Sequence, residues 1–197
     1  MIRIASIVEG DAEVSALGVL LRRLATEIEP YASVDLLPPI RVRRDRFVNK
    51  PEEFRRQLLL AAAKCGDDGW ILVLLDADDD CPAALGREIH KQAQQHVPHR
   101  RLSVVLANRE FEAWFIAAAQ SLHGVRGFSV APDERTDAET PRDAKGWMRE
   151  RMQSGTYREM LDQPAFTARF DLQQAFENSR SFRKLCKEWK THVSQRQ

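Results

Sequence analysis

The apolar positions of this chain fall into runs of two different periods, and their order sketches a fold. Ile2-Arg3-Ile4-Ala5-Ser6-Ile7-Val8 is a short, nearly uncharged run, as are Trp70 to Leu75 and Leu102 to Ala107. Such runs, bounded by turn residues, read as buried strands. Between them the period lengthens. Leu17, Leu20, Leu21, Leu24 and Ile28 recur at helical spacing, so a helix is expected from an Asp11 N-cap to about Glu29, stopped by Pro30. Lys50-Pro51-Glu52-Glu53 opens a second, with Phe54, Leu58, Leu59, Ala62 and Ala63 on its apolar face and Gly66 at its end. Cys81-Pro82 opens a third that continues towards Val97. A further strand is expected in Ser33 to Leu37, before Pro38-Pro39. Strands that alternate with helices predict an α/β fold with a mostly parallel, four-stranded, Rossmann-like sheet flanked by helices.

After Ala107 the pattern changes. Asn108 to Phe115 opens an apolar helix to about Leu122, and 124–140 is irregular. A helix is then expected from Pro141 to about Gln153, followed by a Phe166 to Phe176 segment and a final basic helix from Ser179 to Lys190. No strand signal follows Ala107. The reading is an α/β core over 1–122 and a helical extension over 123–197, packed on the core as one compact unit.

Composition narrows the class only slightly. At 197 residues, 43% apolar and 30% charged, the chain suits a single globular core. Thirty basic and 29 acidic residues nearly cancel, so net charge points to no partner. No run reaches the roughly 18 apolar residues of a membrane span, and no cleavable leader precedes the first strand. Three scattered cysteines without a Cys-x-x-Cys pair suit a reducing cytoplasm. His90, His96 and His99 match no zinc spacing. The four tryptophans read as packing residues.

Chemistry concentrates where strands end. Glu9 and Glu13 follow the first, Asp76 and Asp78 the third, Glu110 and Glu112 the fourth. Ligands of open α/β sheets bind in the crevice beyond the carboxyl ends of the strands. Glu9 and Glu13 are four apart and can share a helix face; Asp76 and Asp78, two apart in extended backbone, would point the same way. Clustered carboxylates suit Mg²⁺, which prefers oxygen ligands. The supply is enough for two ions roughly 3.5–4 Å apart, the spacing that clamps both oxygens of a phosphoryl displacement. Each stretch also has a plain reading. Glu9, Glu13, Glu110 and Glu112 can be first-turn acids stabilised by helix dipoles, and Asp76 to Asp80 a solvated loop with Asp80 as N-cap. Arg41, Arg43, Arg44 and Arg46, four arginines in six positions, are either a solvated edge or a phosphate-backbone contact. The basic face of the last helix divides in the same way.

Val8-Glu9-Gly10-x-x-Glu13 followed by Asp76-x-Asp78 resembles the TOPRIM fold of topoisomerases, primases and OLD-type nucleases. Arg109-Glu110-Phe111-Glu112 resembles the Arg-Glu-x-Glu segment of OLD-like TOPRIM domains. With Pro141-Arg142-Asp143-Ala144-Lys145-Gly146-Trp147 and Ser181-Phe182-Arg183-Lys184-Leu185, nearly the whole chain resembles domain-of-unknown-function family 4276. The resemblance implies cleavage or nicking of nucleic acid, DNA more than RNA, dependent on Mg²⁺ or Mn²⁺ as one or two ions. It also implies a place in bacterial antiviral defence beside a separate ATPase, since the chain has no ATP-binding loop of its own. Glu9 then fits a metal ligand and general acid/base. Asp76 and Asp78 fit the metal pair, and Glu13, Glu112 and Glu110 further ligands. Lys145, or else Lys184, fits the basic residue that stabilises phosphate charge. Two other readings remain: a non-catalytic metal-binding or regulatory subunit of an ATPase complex, and a small-molecule phosphatase or phosphotransfer domain.

Overall fold

Five parallel strands run in the spatial order β2-β1-β4-β5, with β3 continuing the β2 edge against the end of β1. The computed structural model describes residues 1–194, so the final three positions of the expected extension lie outside the described residues. The strands are β1 (Ile2–Val8), β2 (Val34–Leu36), β3 (Ile40–Arg41), β4 (Trp70–Asp76) and β5 (Arg101–Ala107). The fifth strand corrects the four-stranded expectation. The edge is broken by Pro38-Pro39, which cannot donate to a ladder, and pairing resumes where Ile7 and Val8 meet Ile40 and Arg41.

The crossovers explain which face each helix covers. α1 (Asp11–Glu27) links β1 to β2 on one face. α2 (Arg44–Asn49) and α3 (Pro51–Cys65) lead back across the sheet to β4, and α4 (Pro82–His96) leads on to β5, all on the other face. Chain travel reverses direction between β1 and β4, and right-handed connections then require opposite faces. Residues alternate accordingly: Trp70, Leu72 and Leu74 belong to the core on the α1 side, whereas Ile71, Val73 and Leu75 belong to the core on the α3 and α4 side. Both faces are covered, which is why these strands read as unbroken apolar runs.

The α1 face over β4 and β5 receives no crossover helix. It is filled by α5 (Ala113–Ala117), α6 (Ala144–Glu150), α7 (Glu159–Thr167), α8 (Leu172–Asn178) and α9 (Arg180–Val193). Phe182, Leu185, Cys186, Trp189 and Val193 form the buried stripe of α9, and Ser179 Oγ caps it by accepting from Phe182 N at 3.2 Å. Core and extension therefore share one hydrophobic cluster on this face.

Several boundaries differ from expectation. Gly10, not Asp11, is the N-cap of α1. Ile40 to Phe47 divides between β3 and α2. The apolar helix expected to run to Leu122 ends at Ala117 and continues as 3₁₀ turns over Ala119–Leu122 and Val125–Gly127. The helix expected from Pro141 starts at Ala144, with Asp143 accepting from Gly146 N at 2.6 Å. Beyond Ala107 the described residues add only an isolated bridge, Phe128 to Met152. Among the described residues no helix is long and apolar enough to cross a membrane.

Candidate functional site

The reversal between β1 and β4 is the topological switch point, where loops diverge and leave a crevice at the carboxyl ends of the strands. Glu9 follows the last residue of β1, and Asp76 is the last residue of β4. From the α1 face, α1 adds Glu13 and the start of α5 adds Glu112, both buried at 6% and 0% exposure.

Local backbone explains the Glu-Gly-x-x-Glu spacing. Glu13 folds its carboxylate back over Gly10, so that a Cβ on Gly10 would lie 2.1 Å from Glu13 Oε2. Glycine is needed here for close approach, not for an unusual dihedral. On the far side, Gln163 of α7 donates through Nε2 to Glu13 Oε1 at 3.3 Å and to Glu112 Oε1 at 3.0 Å. Tyr157 OH donates to the same Glu112 oxygen at 2.9 Å. Glu9 Oε2 and Glu112 Oε2 are buried without a protein donor.

The electrostatics record the crowding. Burial raises Asp76 well above the usual carboxylate range, and Glu112, Glu13 and Glu9 push it further, with Lys145 opposing. Burial pushes Glu112 up to about 7 despite Lys145 and the Tyr157 bond. Glu9 is raised by burial and by Asp78, against Arg44. Burial alone would lower Lys145, but Glu112, Glu159 and Asp76 outweigh it and hold the ammonium charged. Tyr157 is raised by burial and by Glu112, and stays a donor.

Lys145 arrives through the Pro141 to Trp147 segment. Its backbone N donates to Glu110 Oε2 at 3.0 Å, and its Nζ lies 3.1 Å from Glu159 and 4.0 Å from Glu110. Gly146 lets the Asp143 cap close on the backbone, since a Cβ there would sit 2.1 Å from Asp143 Oδ2.

Other expected residues are placed differently. Asp78 is not in line with Asp76: β4 ends first, Asp78 takes φ 50°, and its exposed carboxylate pairs with Arg44 at 3.2 Å. Lys184 stays outside the cluster, bound to Glu188 at 2.9 Å, and Glu188 reaches Ser103 near the start of β5. Of the arginine group, Arg41 pairs with Asp11, Arg46 with Glu53 and Arg44 with Asp78 and Asp80, while Arg43 is exposed. Three of the four arginines thus have acidic partners in the free chain. Tyr157, Gln163 and Glu159 were not legible in advance, because the stretch 154–165 carries no motif and its buried glutamine looks like any helical glutamine.

Among the described residues, no three His, Cys, Asp or Glu side chains already stand in a geometry that could hold a metal ion. The donor set nevertheless suits one: all oxygen, mutually repelling, and with two buried carboxylate oxygens unpartnered. A cleft of about 950 Å³ lies elsewhere, among Gln120, Arg135, Trp147 and Arg180. A smaller one of about 390 Å³ opens beside the carboxylates, lined by Gly10, Glu13, Arg158 and Glu159. The smaller cleft marks the mouth of the site, because Glu13 of the carboxylate cluster and Glu159, the partner of Lys145, both line it.

Fold and site together define a doubly wound α/β domain with an acidic crevice at its switch point. The chain belongs to the family described as Domain of unknown function (DUF4276), which it matches over residues 8–189. No curated protein and no solved structure matches it.

Proposed function

We propose that this chain is a TOPRIM-like nuclease, dependent on Mg²⁺ or Mn²⁺, that cleaves or nicks nucleic-acid phosphodiesters, DNA in preference to RNA. One observation carries the reading: Glu9, Glu13, Asp76 and Glu112 crowd together at the switch point, with Asp76 held well above its usual pKa by burial and by its neighbours. Carboxylates kept this close repel one another unless a cation or a proton intervenes. Glu9, Asp76, Glu13 and Glu112 would hold one or two ions, with Asp78 and Glu110 at the margin because Arg44 and Lys145 already engage them. A divalent cation bound there supplies charge neutralisation at phosphoryl oxygens and an acidified water.

The protein's own groups divide the remaining work. Glu9, with a raised proton affinity, suits a general acid/base role. Lys145 is held protonated by carboxylates and so acts as a fixed cation facing developing phosphate charge, never as a base. Tyr157 and Gln163 orient Glu112 and Glu13. The family resemblance extends the proposal to bacterial antiviral defence in the cytoplasm, beside a separate ATPase.

The test is plasmid nicking by the purified chain with Mg²⁺ or Mn²⁺. Asp76→Ala and Glu9→Ala should abolish nicking, and excess chelator should stop it. Activity that survives both substitutions, or the chelator, overturns the proposal. One observation favours a second reading, a non-catalytic metal-binding or regulatory subunit: Gln163 and Tyr157 already tie down two of the acids. Calorimetric Mn²⁺ binding with no cleavage, in the presence or absence of an ATPase partner, would select it.

A further inference from the structure

Beside the carboxylate cluster, the three aspartates of the loop after β4 are each bound by arginine, and the arginines come from three separate segments. Arg44 of α2 holds Asp78 and Asp80 and donates to Ala77 O at 3.3 Å. Arg109, in the turn after β5, and Arg142, in the turn before α6, both donate to Asp79 Oδ1, at 2.5 and 2.6 Å. The two sets differ in exposure. The Arg44 side chain is 13% exposed and is part of the scaffold, whereas Asp79 is 71% and Arg142 73% exposed. The loop itself is pinned to the turn after β5 by Asp78 N donating to Arg109 O at 3.0 Å.

We propose that Arg109 and Arg142 form a phosphate-binding pair for the substrate backbone, and that Asp79 occupies them in the free protein as an internal stand-in for that phosphate. The proposal deepens the nuclease reading and rests on it for the identity of the ligand. The geometry is better matched to phosphate than to Asp79. Two guanidinium groups share one carboxylate oxygen, whereas a phosphate diester offers two non-bridging oxygens to the same two forks. Arg109 Nε is buried and has no protein partner, so one donor of the fork is unused. Exchange costs little at the Arg142–Asp79 pair, which is exposed on both sides, because such pairs contribute little to stability. The position also fits. Arg109 directly precedes Glu110, and Arg142 lies three residues before Lys145, so a phosphate held by the pair sits at the rim of the crevice. A crevice lined with acids repels a polyanion, and cations at its rim offset that repulsion during approach.

Fluorescence anisotropy with a fluorescein-labelled DNA duplex, in EDTA to prevent turnover and across a salt series, tests the pair directly. Asp79→Asn should tighten binding several-fold by removing the internal competitor. Arg142→Gln should weaken it several-fold and lower the slope of log affinity against log salt by about one. In the double variant, the gain from Asp79→Asn should vanish. Asp79 and Arg142 are exposed, so neither change threatens the fold; Arg109→Lys keeps the charge of the more enclosed arginine while removing its fork, and should weaken binding as well. Unchanged affinity in Asp79→Asn, or an unchanged affinity and salt slope in Arg142→Gln, overturns the pair. Nicking by the native chain together with unchanged binding by these variants would sink the pair and leave the nuclease reading standing. The expected binding shifts without any nicking would do the reverse.

Discussion

Gly10 shows how a single missing methyl group sets the geometry of the site. The Glu13 carboxylate occupies the space that a Cβ would take, so Gly10→Ala must swing that carboxylate out of its bond to Gln163. The expected cost is about 1–3 kcal/mol, typical of overpacking in a well-filled interior. Most of it should return in the Gly10→Ala/Glu13→Ala double variant, because the clash then has no partner; chemical denaturation of the four proteins measures the coupling. Additive costs would show that Gly10 matters for another reason. Tyr157 makes a second, independent case. Its hydroxyl is a donor to a buried carboxylate that has one unpartnered oxygen already. Gln163 still donates to the same oxygen, so Tyr157→Phe removes one of two donors and should destabilise by about 0.5–1.5 kcal/mol, the net worth of one hydrogen bond. A thermal melt unchanged from native would show that Glu112 does not depend on this bond.

At the scale of elements, α9 is fastened to β5 by more than its apolar stripe. Glu188 accepts from Ser103 Oγ at 2.6 Å, Ser103 accepts from Trp70 Nε1 at 3.1 Å, and Lys184 and His192 flank the same carboxylate. His192, Ser103 and Lys184 together lower Glu188 to about 2, against burial. For an acid with a depressed folded pKa, the unfolded chain takes up the proton first. The stabilisation is thus complete above about 4.5 and fades as pH falls towards 2. Glu188→Gln should flatten the acid limb of the stability curve in that window, and urea titrations between pH 6 and pH 2.5 would read it. Matching native and variant slopes would mean that the fastening is apolar alone. The strands and the long crossover helices were legible in the sequence, because burial on both faces makes a strand uniformly apolar and a 15- to 17-residue helix repeats its period several times. The two short elements after Pro38-Pro39, β3 and α2, were not. α2 is six residues with one buried side chain, Phe47, so its pattern is too brief to show a period. The break after Ala117 was hidden because everything from Ala113 to Ala118 is buried, which removes the polar face that would have marked a helix.

Across the whole molecule, residues from five separate segments meet at one crevice, and this decides what a sequence can disclose of it. Carboxylates that end strands were readable, since strand ends announce themselves by an apolar run that stops. The orientation of Asp78 relative to Asp76 was not readable, because the left-handed turn beyond Asp76 leaves no trace in the residue order, and aspartate adopts that conformation at modest cost. The partners Glu159 and Gln163 of α7, and Tyr157 just before it, come from a segment whose place depends on α1, more than a hundred residues earlier. The crowding itself has a consequence for stability. In the free chain Asp76 is held away from its preferred charge by burial and by Glu112, Glu13 and Glu9, an unfavourable arrangement that only a ligand of opposite charge would reward. Asp76→Asn keeps the shape and has no charged form to disfavour, so it escapes this cost, and in EDTA near neutral pH the variant should melt above the native protein. For a chain of this size each kcal/mol gained corresponds to roughly 2–4 °C. Added Mn²⁺ should raise the native melting temperature by mass action and leave the variant where it was. A variant that melts lower in EDTA would mean that Asp76 is a structural acid whose bonds matter more than its repulsion. An Mn²⁺ response of equal size in both proteins would place the binding of the ion away from the end of β4. An Asp76→Asn protein that melts higher without metal and no longer responds to Mn²⁺ would show stability surrendered where two strand ends converge, the pattern expected of a site kept for binding and not for folding.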